Sequence, residues 1–288
     1  MSQEQPLIVV GMHRSGTTML IKLIEQLGVF VGDKKRHNYE ATFFQEINRW
    51  LLQQANCFWD NPEHFQFVDE VYFREVERVL EKRLSSLALT EYLGLSKTLQ
   101  TKSLFKADFH WAWKDPANSI TWPVWLDLFP NAKFIHIYRN PFDVALSLQQ
   151  RELKRGERFK IDWKKKLKER FLIRGFQYQE SYRIKKEEEG VELWKSYLQS
   201  IKSLKAKLPS EQYLEFKYEE FTVQPIKSLQ LLKAYLNIEV SKDKLSQIAG
   251  QVHQGSRHNY LTNPKGLDLY EKYKEDKLIV EYQYNKQN

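Results

Sequence analysis

Apolar positions along the chain come in short runs, each followed by an amphipathic segment. Leu7-Ile8-Val9-Val10 is continuous and rich in β-branched residues, as expected of a strand buried on both faces. Met19, Leu20, Leu23, Ile24 and Leu27 then recur at helical spacing, and Gly28 supplies a stop. The pattern predicts a helix over 42–54 and a charged helix over 68–84, with Val71, Val76, Val79 and Leu80 partly buried. Residues 111–114 read as a short strand ending at Asp115-Pro116. Residues 119–128 read as a helix whose regularity Pro123 limits. Residues 133–138 alternate as a strand does, and Pro141 suits the first turn of a helix running to about residue 150. A helix over 194–208, a strand over 213–218 and a helix over 226–236 follow. Beyond about residue 240 the chain is polar and the pattern decides little.

Strand followed by helix, repeated, predicts βα units and a parallel sheet. The expected fold is α/β: three layers, α/β/α, with a central parallel sheet flanked by helices, of the P-loop NTPase-like kind. No internal repeat and no Pro/Gly/Ser-rich linker interrupts the 288 residues, so one domain over 1–288 is expected. A content of 42% hydrophobic and 14% aromatic residues is enough for a sizeable core and argues against bulk disorder.

The single cysteine, Cys57, excludes an intramolecular disulfide and a cysteine-based zinc cluster. It reads as a small half-buried side chain rather than a reactive thiol. No apolar window reaches the ~18 residues of a membrane span. The start, MSQEQPLIVVGMHRSG, lacks the basic region of a signal peptide. A soluble cytoplasmic protein, without membrane insertion, is the expectation.

The formal net charge is +8. Residues 151–174 carry 11 Lys/Arg against 4 Asp/Glu, +7 in all. A nucleic-acid surface, a membrane patch and a solvated helix all fit such a run; in 164–170 the cations surround the helix rather than forming one stripe.

The strongest chemical signal is Gly11-Met12-His13-Arg14-Ser15-Gly16-Thr17-Thr18, between the first strand and the first helix. Glycines there let successive backbone N–H groups and the helix N-terminus point at an anion. A Walker A loop places Lys after its second glycine, to reach the β/γ-phosphates. Here Thr17 stands at that position and the cation lies inside the loop, as Arg14. A ligand bound by Arg without metal fits this loop better than a Mg²⁺-bound triphosphate. A second signal, Arg139-Asn140-Pro141-Phe142-Asp143-Val144-Ala145-Leu146-Ser147, begins where a strand ends. It suits either a ligand edge or a salt bridge from Arg139 to Asp143.

Together the two segments resemble the P-loop sulfotransferase superfamily, which uses 3′-phosphoadenosine 5′-phosphosulfate (PAPS). GMHRSGTT is similar to its 5′-phosphosulfate loop, and FIHIYRNPFDVALS to its 3′-phosphate motif. Lys114-Asp115-Pro116 with WLDLFPNAKF, and the strand LEFKYEEF around Tyr218-Glu219, resemble further segments of that superfamily. Arg14 makes the loop closer to the bacterial and tyrosylprotein branches, which use a glutamate base, than to the cytosolic enzymes with Lys in the loop and a histidine base.

The resemblance implies transfer of a sulfuryl group from PAPS to a hydroxyl or amine acceptor, leaving 3′-phosphoadenosine 5′-phosphate (PAP), with no metal. It implies that His13, Arg14, Ser15, Gly16, Thr17 and Thr18 hold the 5′-phosphosulfate and that Lys114 lies near the same group. It implies that Arg139 and Ser147 bind the 3′-phosphate, with Arg257 as a late contact and Tyr218 on the donor side. Glu40 is the expected base, with His37 and Glu46 as alternatives. Trp59-Asp60, Trp111 and Trp113 suit either an acceptor pocket or core packing. The expected partner is a small-molecule, glycan or lipid acceptor, and no nucleic acid. A P-loop nucleotide or small-molecule kinase, a basic nucleotide- or polyanion-binding module without turnover, and an inactive homologue are the rival readings.

Overall fold

The computed structural model describes residues 4–159, 181–253 and 257–286. Four parallel strands form one sheet in the order β2-β1-β3-β4. They are β1 (Leu7–Val10), β2 (Ala112–Lys114), β3 (Lys133–Tyr138) and β4 (Tyr213–Lys217). Leu7 sits opposite Ala112 on one side and Lys133 on the other. All four residues of β1 are buried, which is why its sequence is an unbroken apolar run rather than an alternation. The chain moves to one side of β1 to make β2 and to the other side to make β3. That reversal puts a topological switch point at the C-terminal end of β1, where open α/β sheets bind ligands.

Helices flank the sheet. α1 (Thr17–Gln26) buries Leu20, Ile21, Leu23 and Ile24, and ends at Gly28 with φ 101°. Its stripe joins Val9, Ile135, Ile137, Phe216 and the helix Pro225–Leu236 in one apolar cluster. α2 (Thr42–Gln54) buries Phe43, Phe44, Ile47 and Leu51. Phe44 stacks on Trp113, their centroids 4.1 Å apart and their planes 7° from parallel. Trp111, Trp113 and Trp125 are all fully buried, so the first two are core residues and not walls of an open pocket. Each such side chain contributes about 1.5–3 kcal/mol by burial.

Several elements differ from the expectation. The charged helix spans Glu70–Arg83, capped by Asp69 accepting from Tyr72 N at 3.0 Å. It buries Val76 and Leu80, but Val71 and Val79 are exposed, because a surface helix buries only one narrow stripe. The helix Asn118–Leu128 runs on through Pro123. The expected helix over 194–208 spans Glu187–Lys207; Gly190 in its first turns hides the start. Among the described residues beyond 240 lie the α-helices Lys242–Ala249, Pro264–Tyr273 and Lys277–Glu281 and the 3-10 helix Asn259–Thr262.

The chain divides into two compact units: residues 1–139 with 196–256, and residues 140–195 with 257–288. The sheet belongs to the first. The second is built on the helix Pro141–Phe159, longer than the expected 141–150. There Gly190 lets its helix lie against Ala145, since a Cβ would meet Ala145 Cα at 2.8 Å. Asp143 Oδ1 accepts from Tyr260 N at 2.9 Å. The cation-ringed helix expected at 164–170 lies outside the described residues. Among the described residues no helix is long and apolar enough to cross a membrane.

Candidate active site

The turn from β1 into α1 carries the glycine-bearing loop. Its φ angles are positive at Gly11 (146°), Arg14 (70°) and Gly16 (95°). Backbone of alternating hand turns successive N–H groups to one side and makes a concavity for an anion. The two glycines are required by space as well as by φ. A Cβ on Gly11 would sit 2.4 Å from Ile137 O, and one on Gly16 would sit 2.5 Å from Tyr218 Cδ2. Gly16 is the N-cap of α1 and brings no side chain to cap it, so the first N–H groups and the positive end of the dipole face the loop. Ser15 is 1% exposed, and its Oγ has no hydrogen-bond partner among the described residues. A buried hydroxyl left so is costly unless a ligand takes it. The donor set fits a phosphate or sulfate group. Arg14 is exposed at the rim. His13 is half-buried, edge-on to Trp59 at 4.8 Å, and Tyr197 OH fastens Trp59 O at 2.7 Å.

The loop is fastened from below by the segment after β2. Gly11 N donates to Ser119 Oγ at 2.9 Å, and Asn118 Nδ2 to Val9 O at 3.0 Å. Asn118 Oδ1 accepts from Asn48 Nδ2 at 2.7 Å and Trp113 Nε1 at 3.0 Å. Asn48 is the hub: Nδ2 also donates to Asp115 Oδ2 at 3.0 Å, and Oδ1 accepts from Thr121 and Trp125, each at 2.8 Å. On the β3 side, Arg139 Nη1 donates to Arg14 O at 3.3 Å, with its guanidinium 4.9 Å over the Tyr218 ring. Tyr218 therefore supports both Gly16 and Arg139.

A second loop meets the first turn of α1. Thr18 Oγ1 donates to Asn38 O at 3.1 Å. Next in the chain is Tyr39 at φ 60°, a left-handed conformation that costs a bulky residue about 1–3 kcal/mol. Lys22 and Lys35 lie over its ring at 4.8 and 4.9 Å. The turn aims Glu40 inward, 5% exposed. Its Oε1 accepts from Lys114 Nζ at 2.9 Å and its Oε2 from Gln45 Nε2. Lys114, at the end of β2, is 2% exposed. It pairs with Glu40, 74 residues away in sequence, not with Asp115 in a surface salt bridge. Asp115 instead accepts from Asn48 and from Ala117 N. Burial, and then the negative charge of Glu40, push the Asp115 carboxyl up.

The structure thus brings the loop, Glu40, Lys114, Arg139 and Tyr218 together in the first unit. His37 is exposed, and Glu46 is exposed between Arg36 and Arg83, at 4.0 Å from each. Ser147 and Arg257 are half-buried residues of the second unit. Cys57 is buried, its thiol pushed up by burial. Sequence reasoning passed over Asn48, Gln45, Asn118 and Ser119. Asn48 left one signal, a short amide among Phe44, Ile47 and Leu51 on the buried face of α2.

A profile of the Sulfotransferase family matches residues 6–242. No curated protein matches the sequence. Among solved structures, the chain is similar to the sulfotransferase domain of the Synechococcus PCC 7002 olefin synthase: 17% identity over 96% of this chain and 97% of that one, TM-score 0.48. It is also similar to mouse sulfotransferase SULT7A1 complexed with PAP: 16% identity over 99% and 90%, TM-score 0.47. Sulfotransferase STF1 from Mycobacterium tuberculosis H37Rv shares 13% identity over 87% and 72%, TM-score 0.46. TM-scores below one half carry no weight beside the family match. That match spans the loop, Glu40, the Lys114 segment and Arg139, and the chain belongs to the sulfotransferase family.

Proposed function

We propose that this sulfotransferase takes its sulfuryl group from PAPS and delivers it to a hydroxyl or amine, with Glu40 as base and no metal. The observation that carries the reading is the Thr18–Asn38 hydrogen bond. It sets the buried Glu40–Lys114 pair two residues from the first turn of the anion-binding helix.

The donor supplies a sulfuryl group: its sulfur–oxygen bond to the 5′-phosphate breaks as a bond to the acceptor oxygen forms, and the electron pair leaves on the phosphate of PAP. The residues divide the remaining work. The N–H groups from Ser15 to Thr18 and the Ser15 hydroxyl cradle the anion, and Arg14 at the rim neutralises charge on the leaving phosphate. Glu40 takes the acceptor proton. Each carboxylate oxygen has two lone-pair sites, so the bonds from Lys114 and Gln45 leave room for it. Lys114 has three donors, of which Glu40 takes one, and it balances the carboxylate and the developing charge in turn. The resemblance assigns the 3′-phosphate to Arg139 and Ser147 of one motif, with Arg257 as a late contact from a C-terminal basic loop. The acceptor is a small molecule, glycan or lipid, by the same resemblance.

A nucleotide kinase would require the lysine that Thr17 replaces. The deciding experiment is titration calorimetry with PAP and AMP, which share the loop's anion but not the 3′-phosphate. Arg139→Ala should weaken PAP about tenfold or more beyond any loss for AMP. Equal losses for the two ligands sink the 3′-phosphate role of Arg139, and absence of PAP binding sinks the donor.

A further inference from the structure

Gln45 stands in the first turn of α2, beside the candidate base. Its Nε2 donates to Glu40 Oε2. Its Oε1 is buried and has no hydrogen-bond partner among the described residues. Exchanging the amide nitrogen and oxygen would set oxygen against carboxylate oxygen, so Glu40 itself fixes the orientation. What remains is a buried site that only accepts a hydrogen, on the same amide whose nitrogen holds Glu40 Oε2. Most buried acceptors in native proteins are satisfied, by protein groups, by substrate or by ordered water.

We propose that Gln45 is an acceptor-positioning residue, and that the acceptor presents a second hydrogen-bond donor next to the hydroxyl that is sulfated. This rests on the sulfuryl-transfer reading above and names the substrate class for it: vicinal diols and polyols, sugar rings included. The reacting hydroxyl gives its proton to Glu40, and the neighbouring O–H donates to Gln45 Oε1. An acceptor with only the reacting hydroxyl leaves the amide oxygen buried and unmet. One with a carboxylate or phosphate at that place meets acceptor with acceptor. A site built to receive a substrate hydrogen discriminates strongly against an analogue that lacks it.

The test uses the full chain, radiolabelled PAPS and two alcohols that differ only in the neighbouring hydroxyl, trans-1,2-cyclohexanediol and cyclohexanol. The readout is the ratio of their kcat/KM values, which any general damage to Glu40 lowers for both and leaves unchanged. Wild type should favour the diol by about tenfold or more, beyond the statistical advantage of two equivalent hydroxyls. Gln45→Met, which keeps the length but offers no strong acceptor, should collapse the ratio to that statistical value. PAP affinity of wild type and Gln45→Met should agree in calorimetry, showing that the donor loop is intact. With PAP bound, label reaching neither alcohol, or reaching both at a ratio that Gln45→Met does not move, overturns this inference alone. No PAP binding by wild type overturns the donor reading and this inference with it.

Discussion

Glu40 could be picked out from sequence only by its place after α1 and by resemblance, since nothing near it marks a buried charge. Its isolation from water follows from Tyr39, held left-handed at φ 60°, and from Lys114 across the sheet. Glu40→Gln keeps the size and one of the two accepted hydrogen bonds but cannot take up a proton. Turnover should fall about 10²-fold or more, with PAP affinity unchanged. Unaltered turnover in single-turnover assays removes Glu40 as base. Gly16 was more legible, because a loop between strand and helix asks for glycine whatever it binds. The particular need for it, a Tyr218 ring 2.5 Å from where a Cβ would stand, is written about two hundred residues further on. Gln45 gave no signal at all: an exposed glutamine and one with a buried, unmet oxygen look alike in a sequence.

The bounds of β1 and α2 were legible to the residue, because each carries one clean periodicity: an unbroken β-branched run and a helical stripe of Phe43, Phe44, Ile47 and Leu51. The charged helix was legible in extent but not in depth, since Val71 and Val79 sit beside the buried stripe rather than on it. α2 also shows what periodicity cannot carry. Asn48, on its buried face, joins the segment after β2 to the loop through Asn118, and to Thr121 and Trp125. Removing it leaves several buried polar groups unmet at once. Asn48→Ala should therefore cost about 3 kcal/mol of stability, near the upper range for an unsatisfied buried group, read from urea unfolding. A cost below 1 kcal/mol would mean the network is not fastening the elements together.

At the scale of the molecule, the basic balance first suggested a polyanion partner; the proposed donor is itself an anion, and a positive field would speed its encounter. One contribution to stability against acid lies elsewhere, between β3 and β4. His136 Nδ1 lies 3.0 Å from Tyr213 OH and 3.6 Å from Glu215 Oε2, and Lys205 pairs with the same carboxylate. Burial acts to raise the Glu215 carboxyl, but the hydrogen bonds from His136 and Lys205 outweigh it and hold it at about 2. Its folded value lies below its ordinary value of 4.5, so its contribution is present above pH 4.5 and is lost as pH falls toward 2. Glu215→Gln cannot titrate. Its stability deficit against wild type, from thermal unfolding, should shrink steadily from pH 4.5 downward; a deficit constant with pH would show that the charge is not what matters.

The sequence by itself determined the α/β class, the position of the glycine-bearing loop and the bounds of its strand and helix. These follow from local rules: side-chain periodicity along one element, and glycine where backbone must turn left-handed. Only the tertiary structure decided the partners. Lys114 is aligned with β1 by the sheet register and meets Glu40 because Tyr39 turns that loop inward. Asn48 and Gln45 acquire their meaning from buried groups that other segments bring beside them. Burial and charge pairing act through space, between residues whose separation along the chain carries no trace of their contact.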